Sequence, residues 1–362
     1  ILETAAVGAS DTHVARACMA MNVNPQQKQN RICLEHFVKS YKILKLRIIN
    51  CVCFIIALKT IIQFFETCGS YNYTHLPAEV LETQLYKQIS PTFITQTSKP
   101  ECKYDAVLKR KLSINNWEVP KTFDNFSATG LVNGSYIPEH CTPIFSVAII
   151  VAYRNRQRQL DIFLPYMHDF LRNQSIHYRI YVVEQEDEKI FNKGVLYNVG
   201  AKVAIRDKFP CLILHDVDLL PLDASNLYAC GNEPRHMSAS IDKFRFVLPY
   251  GDLAGGVLAL KSEQFVQVNG FSNRFEGWGG EDDDFSWRIS SHKLNIIRYP
   301  REMSRYTMLR HPQERKNQQR KTIMKENMRD PAMIVKDGFN STRYTSMHVK
   351  NHRLFTYVGV VM

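Results

Sequence analysis

The pattern of apolar and polar positions divides the chain into elements of two periods. Ile144 to Val151 (IFSVAIIV) is a β-branched run that breaks at the basic turn Ala152-Tyr153-Arg154-Asn155-Arg156. Leu160, Phe163, Leu164 and Met167 then recur at helical spacing, so the segment predicts strand, basic turn and helix. His177 to Gln185 predicts a second strand, Val195 to Ala204 a helix, and Cys211 to Leu214 a short buried strand ending in His215-Asp216-Val217-Asp218. Alternating β and α elements predict an α/β fold with a mainly parallel sheet flanked by helices. Ligands of such sheets bind beyond the carboxyl ends of the strands, which places the Arg-rich turn and the Asp-Val-Asp turn at one cleft.

One apolar run differs from these. Ile48 to Phe65 is interrupted only by Asn50, Lys59, Thr60 and Gln63, and as a helix it would extend about 27 Å, close to the thickness of a bilayer core. Lys39, Lys42, Lys45 and Arg47 precede it and Glu66 follows, which predicts a signal anchor with a cytoplasmic amino terminus. The alternative is a cleaved signal peptide, with Cys68-Gly69-Ser70 as the small-residue site. The expected organisation is a tail over 1–47, an anchor over 48–65, a luminal stem over 66–100 and a folded domain over 101–362. The chain opens on Ile1, and residues before Met19 are given no function.

Composition narrows the class. With 362 residues, 45% hydrophobic and 22% charged, the chain is globular in character and far from the disordered regime. Its 46 Lys and Arg against 35 Asp and Glu leave a net charge of +11, which suits a phosphorylated substrate, anionic lipid or nucleic acid alike. Five Asn-X-Ser/Thr sequons, Asn72, Asn125, Asn133, Asn173 and Asn340, all follow the apolar run. Together with Cys102, Cys141, Cys211 and Cys230, an even set that an oxidising lumen would pair, they argue for translocation and against a nucleic-acid partner.

Two acidic motifs carry the candidate chemistry. Asp216 and Asp218 at a strand end suit a divalent cation, although an exposed Asx turn has the same sequence. Arg154 and Arg156, with Lys193 and Lys243, would supply the fixed cations that a diphosphate also requires. Gly277-Trp278-Gly279-Gly280-Glu281-Asp282-Asp283-Asp284 sets four carboxylates after a glycine-rich turn. That pattern reads either as a solvated helix start or as a site where carboxylates and an aromatic face meet sugar hydroxyls.

The segments VAYRNRQRQL (151–160), HDVDLLP (215–221), DKFRFVLPY (242–250), GGVLAL (255–260), NGFSNRFEGWGGEDDD (269–284) and MLRH (308–311) resemble the β-1,4-galactosyltransferase family of type II Golgi glycosyltransferases. The likeness runs from about Cys141 to the carboxyl end. It implies a GT-A fold, a Golgi membrane location with the catalytic domain luminal, and Mn²⁺ held by Asp218, Met308 and His311. It implies a UDP-sugar donor in contact with Tyr153, Arg154, Arg156, Phe191, Asp216, Val217, Lys243, Leu253 and Trp278. Asp282 is matched to the catalytic base of an inverting displacement, and Tyr250, Glu281 and Asp283 to the acceptor side. The same likeness pairs Cys211 with Cys230, and Cys141 with Cys102.

Departures from the family bear on the substrate. Leu253 stands where galactosyl-transferring members carry Tyr, which opens room for an acetamido group and favours UDP-GalNAc over UDP-Gal as donor, with an N-acetylglucosamine-terminated acceptor. Galactose transfer is the alternative, and a noncatalytic sugar-binding protein a further one. Glu276 replaces a Trp, Ala152 a Pro, and Lys193 a frequent Arg. Arg320 to Asn327 lacks the family's Arg-Phe pair.

Overall fold

The structure, a computed structural model, describes residues 25–68, 78–90, 99–108, 126–312 and 314–362, and divides into two units, 1–69 and 70–362. In the first, helix α1 (Pro25–Cys68) leaves Phe54, Ile55 and Ile56 largely exposed. Among the described residues no helix is long and apolar enough to cross a membrane. The expected run of 48–65 carries Lys59 within it and Lys45 and Arg47 just before it, and it ends in Gln63, Phe64 and Phe65, whose side chains lie outside the described residues.

The second unit is built on an eight-stranded sheet. Its first strands are β1 (Ser135–Tyr136), β2 (Ser146–Tyr153), β3 (His177–Gln185) and β4 (Cys211–Asp216). After β5 (Leu219–Pro221), β6 (Arg235–His236) and β7 (Ser240–Ile241) come β8 (Val257–Lys261), β9 (Arg305–Met308), β10 (Ser346–Asn351) and β11 (Thr356–Val361). The sheet runs β10-β11-β3-β2-β4-β8-β6, with β1 beside β3. Only β11-β3-β2-β4 is parallel; β1, β10, β8 and β6 pair antiparallel, so the sheet is mixed where a mainly parallel one was expected. A second sheet, β5-β9-β7, was not anticipated, because its strands are too short to show a period.

Every residue of β2 is buried, with Val147, Ile149 and Val151 in one apolar cluster and Ala148, Ile150 and Ala152 in another. Period-two alternation thus feeds two cores, one on each face of the sheet. Helix α2 (Gln157–Arg172) covers one face with Leu160, Phe163, Leu164 and Met167. Helix α3 (Lys193–Arg206) covers the other with Val195, Leu196 and Val199. Gly200 permits that approach, since a Cβ there would sit 2.4 Å from Ile150 Cγ2.

Both expected disulfides, Cys102–Cys141 and Cys211–Cys230, are formed. The stem reading does not hold for residues 81–90. Leu81 and Leu85 are buried in the core, Tyr86 N–H donates to Cys230 O at 2.9 Å, and Ser90 N–H donates to Ser146 Oγ at 3.0 Å. Asn133, Asn173 and Asn340 lie in the second unit, half-buried at Asn133 and exposed at the other two; Asn72 and Asn125 lie outside the described residues.

Candidate active site

The site forms where β2 and β4 end. Their parallel register pairs Ala152 with Asp216, so the basic turn and the Asp-Val-Asp turn leave the sheet side by side. Helix α4 (Glu281–Ser291) brings the second acidic motif to them. It begins after Gly280, whose φ of 101° is a backbone state that glycine adopts without steric penalty. Glu281 to Asp284 fill its first turn, where the helix dipole favours negative charge. Asp284, however, faces away from the chemistry: it is fully buried, accepts from Arg288 Nε at 2.6 Å and from Asn327 Nδ2 at 2.6 Å, and locks the helix in place.

Lys193 joins the two acidic motifs. Its Nζ lies 3.0 Å from Asp216, 3.3 Å from Asp282 and 3.7 Å from Glu281. Burial pulls this ammonium down, yet Asp216 and Asp282 hold it well above its ordinary value. Asp282 is pushed up to about 7, first by desolvation, against the pull of Lys193 and with Glu281 and Asp216 adding repulsion. Gly255 backs it closely; a Cβ there would stand 2.4 Å from Asp282 Oδ2. The sequence marked Lys193 as a further cation for a diphosphate and as a departure from a frequent Arg, carried Gly255 only within the segment GGVLAL, and gave no sign of Tyr197, whose phenol donates to Asp216 Oδ1 at 3.0 Å. These partners come from separate elements and have no shared spacing to reveal them.

Two of the three expected cation ligands also meet. His311 Nε2 and Asp218 Oδ2 are 2.8 Å apart, an interaction that raises the imidazole pKa, while burial opposes it. Met308 pairs with Leu219 across β5 and β9, and Leu309 N–H donates to Asp218 O at 2.7 Å. Asp242 fixes the same strand by accepting Met308 N–H at 3.0 Å, and Lys243 follows it in a short 3-10 turn. Among the described residues no group of three or more His, Cys, Asp or Glu side chains could hold a metal, and the third donor expected from the sequence, Met308, is a thioether outside that set. One carboxylate, one imidazole and one thioether fit a borderline transition ion and not a Ca²⁺ or Mg²⁺ cage.

The basic turn is engaged by neighbouring backbone. Arg154 lies over Phe191, 5.1 Å from the ring centroid, and donates to Lys189 O at 2.6 Å. Arg156 Nη2 pairs with Glu314 at 2.9 Å and donates to Pro312 O at 3.1 Å. Tyr153 is buried with its phenol directed to Gln157 Oε1 at 3.3 Å, and Val217 is buried. On the other side Tyr250 donates to Asp283 Oδ1 at 2.6 Å, and Leu253 is half-buried two residues before Gly255. Trp278 is 48% exposed, and backbone bonds to Arg315 O and from Asn317 N–H hold its turn against 315–317.

Profiles of two neighbouring regions match the chain: "N-terminal region of glycosyl transferase group 7" over residues 102–231 and "N-terminal domain of galactosyltransferase" over 235–312. Human β-1,4-galactosyltransferase 2 is 40% identical over 232 residues, 64% of this chain and 62% of that protein. Bovine β-1,4-galactosyltransferase 1 is 38% identical over 230 residues, 63% of this chain and 57% of that protein. The matched part of the chain spans less than two thirds of the length of these relatives. The solved catalytic domain of Drosophila β-1,4-galactosyltransferase 7 in complex with xylobiose superposes with a TM-score of 0.52 at 29% identity, covering 60% of this chain and 94% of that one. A mutant of it in complex with manganese, UDP-Gal and xylobiose gives a TM-score of 0.52 at 28% identity, with the same coverage. Sequence, fold and the meeting of the two acidic motifs agree, and the chain belongs to the β-1,4-galactosyltransferase family.

Proposed function

We propose that the second unit transfers a hexose from a UDP-sugar to the 4-hydroxyl of a terminal sugar, with inversion, in the presence of Mn²⁺. The observation that carries this reading is the junction at Lys193, where one largely buried ammonium holds Asp216 of the Asp-Val-Asp turn within reach of Asp282. Asp218, Met308 and His311 would hold the Mn²⁺, which when bound supplies positive charge opposite the departing diphosphate. Asp282 accepts the proton of the attacking hydroxyl; its raised pKa makes it a stronger base than an ordinary carboxylate. Arg156 and Lys243 balance charge on the nucleotide, and Trp278 closes on the sugars and excludes water.

Galactose is the donor sugar supported by the names of the relatives and by the UDP-Gal complex of the Drosophila enzyme, and it displaces GalNAc as the first reading. GalNAc keeps one observation in its favour, the aliphatic Leu253 beside the Gly255 that backs Asp282. The acceptor is assigned as an N-acetylglucosamine-terminated glycan. Initial rates with UDP-Gal and UDP-GalNAc, Mn²⁺ and such an acceptor test this: faster transfer of galactose is expected. A clear preference for UDP-GalNAc would return the donor to the second reading, and donor binding without transfer from either would point to a sugar-binding protein. The disulfides and exposed sequons support a Golgi luminal location behind a membrane anchor, to be checked by protease protection in sealed microsomes.

A further inference from the structure

A basic surface stands at the lip of the site, and the assigned chemistry does not use it. Between Arg310 and Arg329 the chain has two carboxylates, Glu314 and Glu326, and both are engaged, with Arg156 and Arg274 respectively. Arg315, Lys316, Arg320, Lys321 and Lys325 are left without an ion-pair partner among the described residues. Arg320 opens helix α5 (Arg320–Arg329) and is built into the site: its guanidinium lies 5.9 Å from the ring centroid of Trp278. Its side chain also covers the glycine turn, with Cδ 3.4 Å from where a Cβ on Gly279 would stand and Cβ 2.9 Å from one on Gly280. That turn leads directly into Glu281 and Asp283, whereas the diphosphate is served by Arg156 and Lys243 near the Asp-Val-Asp turn.

We infer that the physiological acceptor is an anionic glycan, carrying a sulfate ester or a uronate carboxylate next to the terminal acceptor sugar, and that Arg320 binds this anion. The inference rests on the proposed transferase reading. A guanidinium presents a planar pair of donors that matches either oxyanion, and Trp278 supplies the adjoining apolar face for the ring. Lys321 and Lys325, one turn apart on α5, extend the positive field along the path by which the rest of the glycan would leave.

The test compares kcat/KM for three disaccharides with the same terminal N-acetylglucosamine and a penultimate sugar that is neutral, sulfated or a uronate. At low ionic strength the wild type should favour an anionic acceptor by about tenfold, mostly through KM, and added salt should shrink the advantage. Arg320→Gln should bring the anionic-to-neutral ratio near one, and Arg320→Lys should retain part of it. The sulfated and uronate arms identify the anion. Equal use of neutral and anionic acceptors by the wild type, or a preference that survives Arg320→Gln, would overturn the inference. Calorimetric binding of the sulfated disaccharide with UDP and Mn²⁺ present separates the two failures. Loss of turnover on every acceptor with anion-selective binding intact counts against the transferase reading alone. Turnover without anion selectivity counts against Arg320 alone.

Discussion

Asp282 is the residue on which the chemistry turns. Asp282→Asn should keep donor binding, measured by UDP titration, and lower kcat by roughly a hundredfold or more, the range of a lost general base. Near-normal turnover would remove it from that role. Because desolvation raises its pKa to about 7, the base is lost by protonation as pH falls through that value. The acid limb of kcat/KM should therefore lie near neutrality, above the range of an ordinary carboxylate. Lys193 pulls in the opposite direction, so Lys193→Met should move that limb to higher pH; an unmoved limb would assign it to another group. Leu253→Tyr should shift the ratio of UDP-GalNAc to UDP-Gal use toward galactose, since the phenol fills the volume an acetamido group needs. None of these pairings has a signature in the local sequence. Asp282 was legible through its motif, but its contacts with Lys193 and Gly255 were hidden because those residues lie on other elements and reach it only through the fold.

The chain on either side of residue 313, from Met308 to Pro312 and from Glu314 to Asn317, borders the site. It is tied to α2 by Gln159 Nε2 donating to Arg310 O at 2.8 Å, to the basic turn through Arg156 and Glu314, and to the Trp278 turn by backbone bonds. Glu314 thus occupies a guanidinium that the donor diphosphate would use. Glu314→Ala should tighten UDP binding by up to about fivefold, the scale of a solvent-facing ion pair; unchanged affinity would place Arg156 outside the nucleotide site. Helix α4 shows the opposite use of charge. Its acidic first turn combines the two meanings its sequence allowed, a helix start at the dipole and a functional site, because Asp284 serves the packing while Asp282 and Asp283 face the cleft.

For the molecule as a whole, Cys211–Cys230 ties the strand that carries the Asp-Val-Asp turn to a segment that also anchors Tyr86. Replacing both cysteines by Ala should lower unfolding stability by about 2 to 5 kcal/mol, measured by denaturant titration of the second unit. No measurable change would mean that the noncovalent core alone sets stability. The sequence by itself determined the β/α alternation, the buried strands and the two acidic motifs, because periodicity and motif chemistry are local properties of a chain. It left open the antiparallel edges of the sheet, the docking of residues 81–90 and the split of roles within Glu281 to Asp284. Those depend on which distant elements share a face, and on the balance of desolvation against charge that a single ammonium, Lys193, sets only after the elements have packed.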